Sequence, residues 1–399
     1  EDFLFAVLHV GLDRFKRIND SLGHRMGDLL LAGVGQTLES ILRPTDTLAR
    51  GGGDEFLILL EDISDASSPP RVLSRIQEQL QVPFQVGGHE VFTSLSAGVA
   101  IMRPDYTDPE QVLRDASVAL SRAKERGGAG YVIFDPEMHD EAVQRLRLER
   151  DLHRAVERGE FQAYYQPVLR LADGSLEGFE ALVRWNHPEY GIVSPAQFIP
   201  LAEDTGLIRE LGRWIVEEAC RQLGAWQREF PALGALAMNV NVSPRQFRDP
   251  DLVGYVGEAL ARNGLGRGNL KLEFTESAMM EDPEATPETL EELRQQGATI
   301  CLDDFGTGYS SLSYLHDLPV DVLKIDRSFV ERLTASERGQ HFIHAIIDLG
   351  QRLGLTLVAE GIEEASQQAM LRDMGCHLGQ GFLYSRPVTA EEARFQLIG

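Results

Sequence analysis

The chain reads as α/β throughout: a mixed-sheet domain in its first third, followed by a (β/α)8, TIM-type barrel. Two observations predict the barrel. From Glu160 onward apolar runs alternate with helical patterns, and strand candidates fall at 162–168, 178–183, 236–241, 270–275, 298–303, 321–325, 355–359 and 376–378, which suits a barrel of parallel strands in number and order. Several of those runs also end in oxygen-bearing side chains, at the strand ends where such barrels carry their sites. A third observation sets the first domain apart. Its apolar runs include a hairpin about the glycines at 51–53, and hairpins build antiparallel or mixed sheets.

Taken in order, residues 3–12 predict a strand and 25–42 a helix with apolar residues at helical spacing. Leu57 to Leu60 follows the glycine turn and completes the hairpin. A helix near 68–82, a strand near 91–101, a helix at 109–126 and a strand at 131–134 finish the first domain, over residues 1–135. Residues 136–158 alternate Glu and Arg around a thin Leu/Val stripe and predict a solvated linker helix. The sharper alternative is a helix that transmits rotation or dimer packing. The barrel then occupies 159–399.

With 399 residues, 43% of them hydrophobic and 25% charged, the chain has enough material for two cores. A net charge of −24 argues against a nucleic-acid backbone as partner. A small phosphodiester remains compatible if cations and arginines line one pocket. Cys220, Cys301 and Cys376 are too few and scattered for a disulfide framework or zinc knuckle, which fits a reducing, cytoplasmic setting. No apolar run approaches a membrane span, and no signal peptide opens the sequence. Because it starts at Glu1 in mid-pattern, we expect a fragment whose upstream part, with a sensor domain and any membrane tether, is missing.

Chemistry concentrates at Asp303-Asp304, two carboxylates closing an apolar run and followed by Phe305-Gly306-Thr307-Gly308-Tyr309. Two like charges ~4 Å apart repel by roughly 4 kcal/mol at an effective dielectric near 20, so such a pair either keeps a proton or holds a cation. Glu180, Asn241, Glu273, Glu360 and Glu363 accompany them near other strand ends. Oxygen-only ligands favour Mg²⁺ or Mn²⁺ over zinc, and two such ions can clamp a phosphodiester and activate a water. Lys324 adds a positive charge, with a structural pairing to Asp326 as its alternative role. Arg184 offers a fork for a phosphate.

These residues match a family. Phe179-Glu180-Ala181-Leu182, Asn241-Val242-Ser243, Glu273-Phe274-Thr275-Glu276, Asp303 through Leu312, Lys324-Ile325-Asp326, Ala359-Glu360-Gly361-Ile362-Glu363 and Gln380-Gly381-Phe382 resemble, in order, the motifs of EAL-domain cyclic-di-GMP phosphodiesterases. The resemblance implies hydrolysis of cyclic di-GMP to linear pGpG by two ions, Mg²⁺ or Mn²⁺, among Glu180, Asn241, Glu273, Asp303, Asp304 and Glu360. It assigns catalytic roles to Glu360, Lys324 and Glu180, dinucleotide contacts to Gln166, Leu182, Arg184 and Gln380, and loop support to Glu363. Ile362 and Glu364 stand where Val and Thr are commoner.

The front part resembles GGDEF diguanylate cyclases, of nucleotidyl-cyclase-like fold, through Arg50-Gly51-Gly52-Gly53-Asp54-Glu55-Phe56, Asn19-Asp20, Gly23-His24, Gly27-Asp28 and Ala123-Lys124. The resemblance gives Asn19 and Asp28 a guanine-reading role and places Gly52, Gly53, Asp54 and Lys124 about the GTP phosphates. Arg43 and Asp46 resemble the family's product-inhibition site. Two positions depart: Gly11 stands for a metal-binding Asp, with Asp13 too far along the strand to replace it, and Gly128 stands for a phosphate-binding Arg. Gly51 also replaces a usual apolar residue. The implied domain binds GTP as an effector of the barrel and does not cyclise it, and a homodimer is the expected assembly. Two rivals stay open: a bifunctional cyclase and phosphodiesterase, and a non-catalytic cyclic-di-GMP receptor.

Overall fold

Two compact units, Glu1–Arg147 and Leu148–Gly399, make up the chain. The computed structural model describes residues 4–231, 236–280, 282, 283, 285–306, 318–334 and 336–397, with the backbone alone at 139–142. The motif residues Thr307, Gly308, Tyr309, Ser310, Ser311 and Leu312 lie outside the described residues.

In the first unit the strands are β1 (Ala6–Leu12), β2 (Thr47–Gly52), β3 (Glu55–Leu60), β4 (Phe84–Val86), β5 (His89–Val91), β6 (Leu95–Ile101) and β7 (Tyr131–Ile133). Five of them form one sheet in the order β2-β3-β1-β6-β7. The β1 pairings with β3 and β6 are antiparallel and the β6–β7 pairing is parallel, so the sheet is mixed. The helices are α1 (Phe15–Leu22), α2 (His24–Ile41), α3 (Ser68–Leu80), α4 (Pro109–Glu125) and α5 (Pro136–Arg158). Helix α4 lies so close on β6 that a Cβ at Gly98 would stand 2.0 Å from the Ala116 carbonyl oxygen, which only glycine permits. The predicted strand near 91–101 is in fact two: β5 and the short hairpin turn at Gly87-Gly88 precede β6.

Helix α5 spans the predicted linker, but its second half is not solvated. Leu148, Leu152 and Ala155 recur at helical spacing and are buried with Phe161, Trp185 and Phe198 in one cluster of the second unit.

The second unit closes eight strands into a barrel: β8 (Phe161–Arg170), β9 (Leu176–His187), β11 (Ala237–Val242), β12 (Leu270–Thr275), β13 (Thr299–Phe305), β14 (Val322–Ile325), β15 (Thr356–Ala359) and β16 (Leu378–Gly379), with β10 (Gly191–Val193) added outside on β9. All eight predicted strands are present. The expectation that they would all be parallel needs correcting: β8 runs antiparallel to both β9 and β16. The cause is loop length. Only residues 171–175 join β8 to β9, and a parallel pair needs a crossover of a dozen residues or more.

Strand alternation then stacks the barrel interior. Val168, Cys301, Val322, Val358 and Leu378 form one buried apolar layer. Two residues on, and so on the same face, come Asp303, Lys324, Glu360 and Gln380. On the reversed β8 the order inverts, and Gln166 precedes Val168 by two. The apolar layer is the floor of the site.

Candidate functional site

Each polar residue above that floor is held by its neighbours. On β9, Glu180 is buried and accepts hydrogen bonds from Asn241 Nδ2 at 2.6 Å and Gln380 Nε2 at 2.5 Å. Gln380 Nε2 also reaches Gln166 Oε1 at 2.8 Å, while Gln166 Nε2 donates to the Ser385 carbonyl. The Gln380 Oε1 atom is buried with no partner, an acceptor available to a donor on a ligand.

At the centre stands Lys324, 1% exposed. Its Nζ lies 2.7 Å from Glu273 Oε2, 2.5 Å from Glu360 Oε1 and 3.4 Å from Asp303 Oδ1. Burial opposes the ammonium charge, but Glu273, Glu360, Glu180 and Asp303 together outweigh it and hold its pKa well above the ordinary value. The suggested pairing with Asp326 is not what the fold makes: Asp326 caps the helix Arg327–Arg332 by accepting from Ser328 N. Glu360 is pushed up to about 8, by burial first and then by Asp303 and Glu180, against the pull of Lys324. Glu273 is raised well above the carboxylate range by burial, Lys324 opposing.

Asp303 and Asp304 sit at an irregularity where the β13–β14 register shifts between Leu302 and Phe305. Asp304 adopts φ +55°, the left-handed region that non-glycine residues rarely enter. The bulge lets the two neighbours diverge instead of stacking, and Asp304 N donates to Asp303 Oδ1 at 2.9 Å. Burial, then Asp303 and Asp326, raise the Asp304 carboxyl.

A cavity of about 250 Å³ opens over this cluster, lined by Gln166, Glu180, Leu182, Asp303, Lys324, Glu360, Glu363 and Gln380 among the predicted residues. Glu273 lies beneath it, reached through Lys324, and Asn241 attaches through Glu180. Arg184 does not line it; its Nη1 donates to the Val183 carbonyl and its guanidinium lies 5.6 Å from the Tyr164 ring centroid. Glu363 accepts from Arg327 Nη2 at 3.0 Å. Phe382 of the Gln380-Gly381-Phe382 motif also lines the cavity, as does Arg327, which was not singled out from sequence. Nor was Asn239, whose Nδ2 donates to Glu273 Oε1 at 2.6 Å; the signal was there, since it precedes Asn241 by two on the same strand face.

The donor set is entirely oxygen, as Mg²⁺ or Mn²⁺ requires. Among the described residues no three His, Cys, Asp or Glu side chains converge on one point as they stand, and the Lys324 ammonium lies among Glu273, Asp303 and Glu360. Burial is the chief cause that raises Glu360 and Glu273, and a divalent cation at the mouth would favour their charged forms. By chemistry the residues fit the ions.

The front domain differs. His9 Nε2 lies 2.8 Å from Glu55 Oε2, and His9 Nδ1 lies 2.7 Å from Ser117 Oγ. Lys124 Nζ lies 3.8 Å from Glu55 Oε1. Asp13 accepts from Ser94 Oγ and Ser96 Oγ at 2.6 Å and from Ala129 N at 2.9 Å. Gly52 and Gly53 have φ +119° and +55° at the hairpin turn beside Asp54. Asn19 Oδ1 is buried without a partner, packed against Gly27, and Asp28 is exposed. Asp46 Oδ2 accepts from Arg43 N at 2.9 Å, with the Arg43 side chain exposed.

Fold and site together define a two-unit α/β protein with an acidic barrel mouth. The chain belongs to the EAL domain family, whose profile matches residues 149–387, and carries ahead of it a diguanylate cyclase, GGDEF domain, matched over residues 1–129. It is 42% identical over 392 residues to the bifunctional diguanylate cyclase/cyclic di-GMP phosphodiesterase MucR of Pseudomonas aeruginosa, covering 98% of this chain and 57% of that protein. It is 41% identical over 386 residues to the cyclic di-GMP phosphodiesterase NbdA of the same organism, covering 96% of this chain and 48% of that one. The chain thus spans about half the length of these curated relatives. The solved PaMucR phosphodiesterase in complex with c-di-GMP is 44% identical with a TM-score of 0.59, over 62% of this chain and 99% of that one. Among the described residues no helix is long and apolar enough to cross a membrane.

Proposed function

We propose that the barrel is a cyclic-di-GMP phosphodiesterase that opens one 3′,5′-phosphodiester to give linear pGpG, and that the front domain is a GTP-binding regulatory module. One observation carries the first half: Glu180, Asp303, Glu360 and Lys324 share one cavity above an apolar floor, with the Gln166–Gln380 pair at its wall. Glu180, Asn241, Glu273, Asp303, Asp304 and Glu360 would hold two Mg²⁺ or Mn²⁺ ions. When bound, such ions supply Lewis-acid polarisation of the phosphate and a more acidic water. Water oxygen bonds to phosphorus, the bond from phosphorus to the 3′ oxygen breaks, and that oxygen leaves with a proton as the 3′ hydroxyl. Lys324 keeps a fixed positive charge beside the phosphate as charge develops. Asn239 and Asn241 hold the Glu273 and Glu180 carboxylates in place. Gln380 and Leu182 position the dinucleotide, Glu363 braces its loop through Arg327, and Arg184 would swing from Val183 to meet a phosphate.

The test is chromatography of the products formed from cyclic di-GMP with Mg²⁺, with Mn²⁺ and in excess chelator. Turnover in chelator, or a product other than pGpG, would refute the assignment. For the front domain, the support is the buried, unpartnered Asn19 Oδ1 with the neighbouring Asp28 carboxylate, a pair suited to the N–H edge of guanine. Gly11 and Gly128 speak against cyclisation. Arg43, with its exposed guanidinium, is where cyclic di-GMP would bind back with Asp46. GTP should change the phosphodiesterase rate severalfold, within the roughly 5–150-fold span of measured couplings, and Asp28→Ala should remove that response. A rate flat in GTP would refute the regulatory half alone.

A further inference from the structure

The front domain does not fit the divalent cation that its resemblance implies, and the geometry points to a replacement: we propose that the Lys124 ammonium stands where that cation would act, so that this domain takes up a nucleoside triphosphate without a metal ion. The inference rests on reading the domain as a GTP-binding module.

Three observations place Lys124 in that role. First, the end of β1 carries no carboxylate: residue 11 is glycine, and a Cβ there would lie 2.8 Å from Lys124 Nζ and 2.9 Å from its Cε. The lysine terminus therefore fills the space that a side chain on residue 11 would enter. Second, the nearest alternative carboxylate is already committed. Asp13 takes three hydrogen bonds, from Ser94, Ser96 and Ala129, and these tie β1 to β6 and to the loop after α4. Third, Glu55, which faces Gly11 across the β1–β3 pairing, is shared between His9 at 2.8 Å and Lys124 at 3.8 Å. With glycine at residue 11, Glu55 lacks the carboxylate partner that the resemblance places opposite it, and its Oε2 is already bonded to His9.

The same arrangement suits a polyanion. An ammonium has three donors, and at 3.8 Å its contact with Glu55 is too long for a hydrogen bond. The side chain is 39% exposed, so its donors can turn to phosphate oxygens. Gly52 and Gly53 leave the hairpin backbone bare of side chains beside them. With the residue-11 carboxylate deleted and Glu55 partly answered, the repulsion between protein and phosphates is smaller.

The experiment is a titration of the whole chain with a fluorescent ribose-labelled GTP, once in excess EDTA and once in excess Mg²⁺. We expect dissociation constants within about twofold of each other. Lys124→Met should weaken binding in EDTA by tenfold or more, with an unchanged melting temperature confirming the fold. Gly11→Asp, whose Cβ would crowd the flexible lysine end and otherwise meet Leu120 at an ordinary 3.7 Å, should make binding tenfold or more tighter in Mg²⁺ than in EDTA. Binding by the unmodified chain that needs Mg²⁺ overturns the inference and leaves the GTP-binding reading standing. No binding in either buffer overturns both. Metal-free binding untouched by Lys124→Met, or a Gly11→Asp protein indifferent to Mg²⁺, removes Lys124 from the role.

Discussion

Both units place acidic residues at the ends of sheet strands, and they treat the charge in opposite ways. In the barrel, Glu273, Asp303 and Glu360 crowd around one buried lysine, three carboxylates to one ammonium. In the front domain Asp13 is answered by two serines and a backbone N–H, and Glu55 by His9 and Lys124. The first pattern stores a demand for cations; at Asp13 and Glu55 the second leaves little. Counting acids in a motif therefore does not reveal a metal site. What matters is whether the neighbours have already neutralised them.

Three experiments would break or sharpen that contrast. The largest effect should come from Glu180→Ala, which removes the carboxylate that Asn241 and Gln380 both hold. We expect the phosphodiesterase rate to fall by more than about 100-fold, beyond the roughly 10–100-fold typical of groups that only orient a ligand; a mutant with near-normal turnover would remove Glu180 from the site. Next, Asn239→Ala strips the donor from buried Glu273 Oε1. The loss should fall inside that same range, and Asn239→Asp should not rescue it, since a carboxylate there would repel Glu273. Full activity in Asn239→Ala would show that Glu273 needs no orienting partner.

The smallest and most diagnostic effect is on stability against pH. Glu360 holds its proton in the fold up to about 8, above its ordinary 4.5. Between those values the native state binds more protons than the unfolded chain, so stability must fall as pH rises through the window. Metal-stripped protein should therefore melt progressively lower from mildly acid pH toward pH about 8, and added Mg²⁺ should raise the melting temperature most at the alkaline end. A melting temperature of the stripped protein that climbs with pH would contradict the surplus charge.

Much of this was legible from residues alone. Apolar runs set between helical patterns located all eight barrel strands, because a strand buried on both faces must be apolar along most of its length. Strand direction was not legible that way: an apolar run is the same read forward or backward, and only the five-residue link after Arg170 betrays the reversal of β8. Lys324 was half legible. Its charge was evident, but sequence proximity suggested Asp326, whereas β14 ends at Ile325 and sends the two side chains to different tasks. Asn239 and Arg327 went unread, since an amide or arginine near a strand end carries no signal until the partner across the barrel is known. Helix α1 also escaped, because Phe15–Leu22 buries no residue fully and has no side-chain cap.

The reversed strand has one more consequence. In a barrel whose strands all run one way, the chain enters at the floor, far from the chemistry. Here Phe161 pairs with Trp185, beyond Glu180 on the mouth side of β9, and Glu160 accepts from the Trp185 indole at 3.0 Å. The leash that precedes the barrel is thus tied to its rim. The docked turns of α5, at Leu148, Leu152 and Ala155, pack in one cluster with Trp185 and Val183 of the strand that carries Glu180, Leu182 and Arg184.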